Sequence, residues 1–195
     1  SEDYVAAVKP YCDELWGIEP DTEVTPNPAL FDHTQHALLE DADLPENHFD
    51  VAFSFMVMEH VADPGAFYRA LARAMKPGGV YLFMTPNKDH YFSVFTRTFK
   101  ALKLDEFVLK FISGGDVGDY HYPVVHRCNS RAQLVQHGKP AGFTGVEVAY
   151  MEQDGPRPYM KGPLRPLFHL LAWKRTKVRR PDRLLTLFAR MTKAR

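Results

Sequence analysis

Asp50-Val-Ala-Phe-Ser-Phe-Met-Val-Met-Glu59-His60-Val-Ala-Asp63-Pro64, followed by Met75-Lys76-Pro77-Gly78-Gly79 and then Thr85-Pro86-Asn87, decides how this chain reads. Phe49 and Val51 to Val57 form an almost unbroken apolar run, the pattern of a strand covered on both faces. Asp63 before Pro64 predicts a helix start: the carboxylate can accept from free backbone N–H groups, and proline suits the first helical position. Phe67, Leu71, Ala74 and Met75 recur at helical spacing and predict its buried stripe. Lys76 favours the negative end of the helix dipole, and Gly78 or Gly79 can take the left-handed conformation that stops a helix. Val80 to Met84 reads as a second buried strand. Strand, helix and strand in this order predict a right-handed crossover in a mostly parallel sheet.

Outward from that unit the signals weaken. Ser1 to Val8 has a short helical pattern that Pro10 ends. Leu15-Trp16-Gly17-Ile18 reads as a strand closed by Glu19-Pro20-Asp21. Pro26 and Pro28 mark a loop with room for one helical turn over 29–33, Ala37-Leu38-Leu39 suits a short strand, and Leu44-Pro45-Glu46-Asn47 is a turn. Lys88 to Tyr122 is irregular and aromatic, read as one or two amphipathic helices over the sheet edge. Ser130 to His137 is a capped helix, Val146 to Met151 a late strand, Pro156 to Pro166 a crossing, and Leu167 to Arg195 largely helical. These make a single α/β domain over residues 1–195. It divides into a cofactor-side core (1–90), an aromatic cap or lid (91–129), and a C-terminal helix, strand and basic helical tail (130–195).

The 195 residues and their 45 % hydrophobic content suit one globular domain. Net charge is zero, so nothing in the overall balance calls for a nucleic-acid partner. Cys12 and Cys128 are isolated and lack metal-ligand spacing, which fits two ordinary thiols in a reducing cytoplasm. No apolar run is long enough to span a bilayer. Basic residues crowd the C-terminus from Lys174 to Arg195, with Asp182 the one acid among them. Such a cluster can contact an anionic membrane surface, though a solvated helix face is the commoner explanation.

Open parallel sheets bind ligands at the C-terminal ends of their strands. Glu19 ends the first strand, where a carboxylate can accept both hydroxyls of a ribose; the competing reading is a surface acid in a turn. Glu40 or Asp41, before the Leu44-Pro45 turn, can accept from the amine of adenine, or simply be solvated. Phe55, near the end of the central strand, can pack on a cofactor or belong to the core. Glu59 and His60 follow that strand directly. Histidine is the usual proton acceptor near neutral pH, so His60 is a candidate general base and Glu59 its orienter. The alternative is a structural pair bonded to nearby backbone. His33, His36, His121, His126 and His137 converge on no metal by spacing and are read as ordinary.

With Glu19, Phe49-Asp50, Glu59-His60-Val61 and Lys76-Pro77-Gly78-Gly79 in this order, the chain resembles the class I S-adenosylmethionine-dependent methyltransferases, most closely the small-molecule enzymes of the ubiquinone-biosynthesis-like group. The similarity covers about residues 4 to 90 and returns at Ser130 to Met151. It implies a Rossmann-like sheet with helices on both faces, S-adenosylmethionine as cofactor, and methyl transfer to a small-molecule or lipid-like acceptor. Glu19 takes the place of the ribose-binding acid, Glu40 or Asp41 that of the adenine-reading acid, and Phe55 that of an apolar residue touching the cofactor. In the ubiquinone O-methyltransferases an acid three residues before the Glu-His pair joins it in binding a divalent metal. That position is Met56 here, and a thioether is a poor ligand for magnesium, which puts the metal and a catechol-type acceptor in question. The family also opens with a strand and a glycine-rich loop that this stretch of chain lacks. Two outcomes are open: the strands ending at Glu19 and Phe55 pair directly, or the sequence is a fragment of a longer enzyme, the favoured reading. A different class remains as the alternative function, a non-catalytic methyltransferase-like binding module whose basic tail contacts a membrane or partner.

Overall fold

The computed structural model describes residues 2–90, 93–94, 124–152, 166, 169–170, 173 and 180–195. Helix α1 (Glu2–Val8) leads to strands β1 (Trp16–Ile18), β2 (His33–Gln35) and β3 (Phe49–Phe55). Helix α2 (Pro64–Ala74) crosses to β4 (Met75–Pro86); α3 (Arg131–Gly138), β5 (Phe143–Met151) and β6 (Thr186–Lys193) follow. β1 and β2 pair in parallel as a two-stranded sheet, and four strands form a second sheet in the order β3-β4-β6-β5.

The crossover forms as its sequence implies. Asp63 Oδ1 accepts the Ala66 N–H at 3.0 Å, Pro64 occupies the first turn, and Phe67, Tyr68, Leu71, Ala72 and Ala74 are buried. The free carbonyls at the other end of α2 are met by the incoming chain: Asn47 and His48 donate their N–H groups to the Arg73 and Ala74 carbonyls at 2.9 and 2.8 Å. The glycines do not stop the helix. Met75 is already extended, and β4 runs straight through Lys76-Pro77-Gly78-Gly79. The register between β3 and β4 shifts between Phe49 and Val51, and Gly78 at φ +82° supplies the left-handed residue this irregularity needs. Lys76 Nζ bonds Asp50 Oδ2 across it at 2.7 Å.

Sheet direction is mixed rather than mostly parallel. β3 and β4 are parallel, but β6 runs antiparallel to β4 on one side and to β5 on the other. The tail is helical at 169–170 and 173 as expected, but differs from its helical expectation further on: Thr186–Lys193 is a strand. Its pattern explains this, because Leu187, Ala189 and Met191 are buried at a spacing of two, the period of a strand and not of a helix. β2 forms at His33–Gln35 instead of at the more apolar 37–39, since register with Trp16–Ile18 outweighs local hydrophobicity on a half-covered edge. The expected helices within 95–122, the proline crossing at 153–165 and the residues Lys174 to Arg179 lie outside the described residues.

β1 and β3 do not pair with each other. They meet through side chains: the Trp16 and Phe49 rings lie edge to face at 5.7 Å, and Glu14 bridges His33 (3.0 Å) and His48 (2.6 Å) at the starts of the strands. The β3 edge toward β1 is therefore uncovered by backbone, and Val51 is 54 % exposed despite its apolar setting. The main core lies elsewhere, around Met58, Tyr68, Tyr81, Phe83, Cys128, Leu134, Phe143, Leu187 and Met191.

Candidate active site at the ends of beta3 and beta4

Adjacent parallel strands β3 and β4 end side by side, with the Met56 N–H donating to the Met84 carbonyl at 2.9 Å. Glu59 and His60 follow β3, and Thr85-Pro86-Asn87 closes β4. Glu59 is 4 % exposed. Its Oε2 accepts the Thr85 hydroxyl at 3.0 Å, and Thr85 Oγ1 in turn accepts Asn129 Nδ2 at 2.6 Å. The Glu59 carbonyl accepts the Val125 and His126 N–H groups. Glu59 thus forms a structural tie through both its backbone and its carboxylate. His60 is half-buried beside it, with its N–H on the Val57 carbonyl at 2.9 Å.

Burial raises the Glu59 carboxyl above its ordinary value of 4.5, against the lowering by a backbone hydrogen bond, Thr85 and His60. The folded state then holds this proton more tightly than the unfolded chain. Its contribution to stability is full below about pH 4.5 and is lost as pH rises toward the folded value, after which it is constant. Glu59→Gln cannot titrate, so its melting temperature relative to the parent should improve from acid to neutral pH. Paired thermal melts check this; a difference that stays constant with pH refutes it.

The Thr-Pro-Asn series acquires its reason here. Asn87 Nδ2 donates to the Asp182 and Leu184 carbonyls, both at 2.8 Å, and the Asn87 N–H to the Leu185 carbonyl. One buried amide therefore sets the chain entering β6 against the end of β4. Asn129, Thr85, Asn87 and the backbone of His126 are site residues that sequence reasoning missed. Only Thr85 and Asn87 carried a signal, as members of a motif without an assigned role.

The remaining expected residues divide. Glu19 is half-buried just past β1; its N–H donates to the Gln35 carbonyl at 3.0 Å, and its Oε1 accepts the Asp21 N–H at 2.9 Å. A carboxylate held at a strand end by a turn N–H is a fixed acceptor, which suits a ribose diol. Phe55 is half-buried and stacks on Tyr4 of α1 at 4.7 Å, so the end of β3 carries an aromatic shelf of two rings. Glu40 and Asp41 separate: Glu40 lines a groove of about 310 Å³ with Ala66, Arg69, Ala70 and Arg73 of α2, while Asp41 is exposed. For a divalent metal the fit fails. The Glu59 carboxylate is buried and bonded to Thr85, and Met56 offers sulfur where the metal enzymes have an acid. Among the described residues no group of three or more His, Cys, Asp or Glu side chains is arranged to hold a metal.

A family model described as a methyltransferase domain matches residues 4–148. The chain belongs to the class I S-adenosylmethionine-dependent methyltransferases. S-adenosylmethionine is the cofactor of this family. A ubiquinone biosynthesis O-methyltransferase of Caulobacter vibrioides is 42 % identical to this methyltransferase over 71 residues, 34 % of this chain and 25 % of the relative. The matched stretch is thus about a quarter of that relative's length. Among solved structures, a methyltransferase of Thermotoga maritima aligns at a TM-score of 0.59 with 15 % identity, over 95 % of this chain and 75 % of the other. One from Methanosarcina mazei aligns at 0.56 with 14 % identity, over 93 % and 82 %. These two bear on the fold alone, and agree with the Rossmann-like α/β architecture of this methyltransferase.

Several basic residues of its C-terminal part are paired within the fold. Arg180 pairs with Asp182, Arg190 with Glu147, and Lys193 Nζ donates to the Met75 carbonyl. Among the described residues no helix is long and apolar enough to cross a membrane.

Proposed function

We propose that the complete protein transfers a methyl group from S-adenosylmethionine to an oxygen or nitrogen of a small or lipid-like acceptor, with His60 as general base. One observation supports this reading: His60 lies in the turn that follows β3, where two adjacent parallel strands end, next to Glu59, whose buried carboxylate is held by the Thr85–Asn129 chain of hydrogen bonds. When bound, the cofactor supplies an electrophilic methyl carbon on a sulfonium. His60 would take the proton from the acceptor oxygen or nitrogen, leaving that atom free to accept the methyl group the cofactor would supply. Glu59 positions His60 and does not itself exchange protons with the acceptor. Glu19 holds the ribose, and Phe55 with Tyr4 supports the nucleoside.

Calorimetric titration of S-adenosylhomocysteine into the complete protein tests the cofactor half. Glu19→Ala should weaken binding by about 1.5–3 kcal/mol, the worth of one charge-assisted hydrogen bond. That is roughly a 10- to 150-fold rise in Kd. Unchanged affinity removes Glu19 from the site, and no binding by the parent removes the function.

A further inference from the structure

Strands β1 and β2 end level, and one residue holds the chain that follows each of them. Gln35, the last residue of β2, accepts the Glu19 N–H on its backbone carbonyl at 3.0 Å, one step past the pairing of Ile18 with Gln35. Its side chain grips the chain eight positions on: Nε2 donates to the Asp43 carbonyl at 2.7 Å, and Oε1 accepts the Asp43 N–H at 2.9 Å. A carboxamide carries the donor and the acceptor of a peptide group, so Gln35 pairs with Asp43 as a neighbouring strand would. The two bonds close the loop 36–42 at its base. Among the described residues no other hydrogen bond joins that loop to β2.

Inside the loop the chain turns on itself. The Asp41 N–H donates to the Leu38 carbonyl at 3.0 Å, Ala42 is buried, and Leu39 packs against the main core. These ties send the two acids of the turn different ways. Glu40 lines the groove beside Arg69 and Arg73 of α2. Asp41 is exposed, and its carboxylate has no partner among the described residues. Gln35 therefore stands between two carboxylates beyond the ends of neighbouring strands: it is bonded directly to the backbone of Glu19, and to Asp43, two residues after Asp41.

We propose that Gln35 is a positioning residue for the purine end of the cofactor: through Asp43 it holds the Asp41 carboxylate in register with Glu19. This rests on the methyltransferase reading above, in which Glu19 holds the ribose. A carboxylate accepts hydrogen bonds and donates none. A second fixed carboxylate beside the ribose acid therefore favours a purine with an amine, which donates, over one with an oxo group, which cannot. That preference needs an acceptor that is already ordered. A carboxylate on a loose loop turns to water, and ordering it at each binding event offsets the bond it then makes. The Gln35–Asp43 pair does this ordering during folding.

The test uses the complete protein and two ligands, S-adenosylhomocysteine and S-inosylhomocysteine, in which an oxo group replaces the purine amine. The parent should bind the first about tenfold more tightly or better. Gln35→Met keeps the side-chain length and loses both bonds. It should bring the two affinities within about threefold, by weakening S-adenosylhomocysteine and leaving S-inosylhomocysteine unchanged. Gln35→Glu keeps the acceptor but not the donor; it should fall between, and serves if Gln35→Met does not fold. Asp41→Ala should remove the same preference, and Gln35→Met added to it should change nothing further. Without ligand, exchange of the Asp43 amide should quicken about fivefold or more in Gln35→Met, while the Glu19 amide, bonded to the backbone of Gln35, keeps its protection. Unchanged exchange at Asp43 overturns the clasp. A preference retained in Gln35→Met, or equal weakening of both ligands, overturns the positioning role, and a preference that survives Asp41→Ala overturns Asp41 as the group held. A parent that binds both ligands equally overturns the purine role and leaves the methyltransferase reading standing; a parent that binds neither overturns both.

Discussion

His60→Ala is expected to slow methyl transfer by about 10²–10⁴-fold, the usual contribution of a positioned general base. S-adenosylhomocysteine affinity should hardly change, because the residues assigned to the nucleoside, Glu19, Phe55 and Tyr4, lie on other elements. The split between rate and affinity is what separates a base from a packing residue. His60 is half-buried beside the fully buried core residue Met58, so a purely structural histidine would lose stability and cofactor binding together. Turnover is read as S-adenosylhomocysteine released in the presence of an acceptor, and the lost rate should return in part when free imidazole is added. An unaltered rate would make His60 structural. A fall in affinity as large as the fall in rate would mean that the site had collapsed rather than lost its base.

Phe143→Ala should cost about 3–5 kcal/mol, the range for removing a large aromatic from a packed core. Phe143 is 1 % exposed at the start of β5, and its ring meets Tyr68 of α2 edge-on at 5.8 Å. The space behind it is already closed: a Cβ built on Gly138 of α3 would fall 2.2 Å from the Met191 methyl of β6. With α2, α3, β5 and β6 all converging there, relaxation cannot fill the cavity cheaply. For a chain of this size the loss corresponds to a fall in Tm of roughly 6–20 °C. Phe143→Leu, which keeps most of the volume, should cost less. Thermal or urea unfolding measures both, and a Phe143→Ala loss below about 1 kcal/mol would contradict this packing.

The crossover was legible because its signals are local. Asp63-Pro64 caps the helix at the expected place, and β3 and β4 form where the apolar runs predict strands, although β4 buries only alternate residues and Val51 of β3 and Leu82 of β4 are exposed, so the expected cover on both faces is not met. Gly78 was legible as a left-handed residue but not as part of a strand. Its conformation is a property of glycine, whereas the register shift it serves exists only once β3 lies alongside. The same division runs through the site. Glu59 and His60 stood out by following a buried strand. That Glu59 is bonded to Thr85 and its backbone to the segment 124–129 could not be read from spacing.

By itself the sequence determined the α/β class, the strand–helix–strand unit, the family and the residues flanking the strand ends. Those follow from periods of two and about 3.6 residues, and from capping and turn chemistry, which act over one or two turns of chain. Only the tertiary structure decided that Thr186–Lys193 enters the sheet as a strand between β4 and β5, that Asn87 holds the chain leading into it, and that Asn129 secures the Glu-His pair. These depend on hydrogen bonds between residues 44 to 97 positions apart. A buried amide finds its partners only after the sheet has assembled, and no local pattern encodes which carbonyls it will meet.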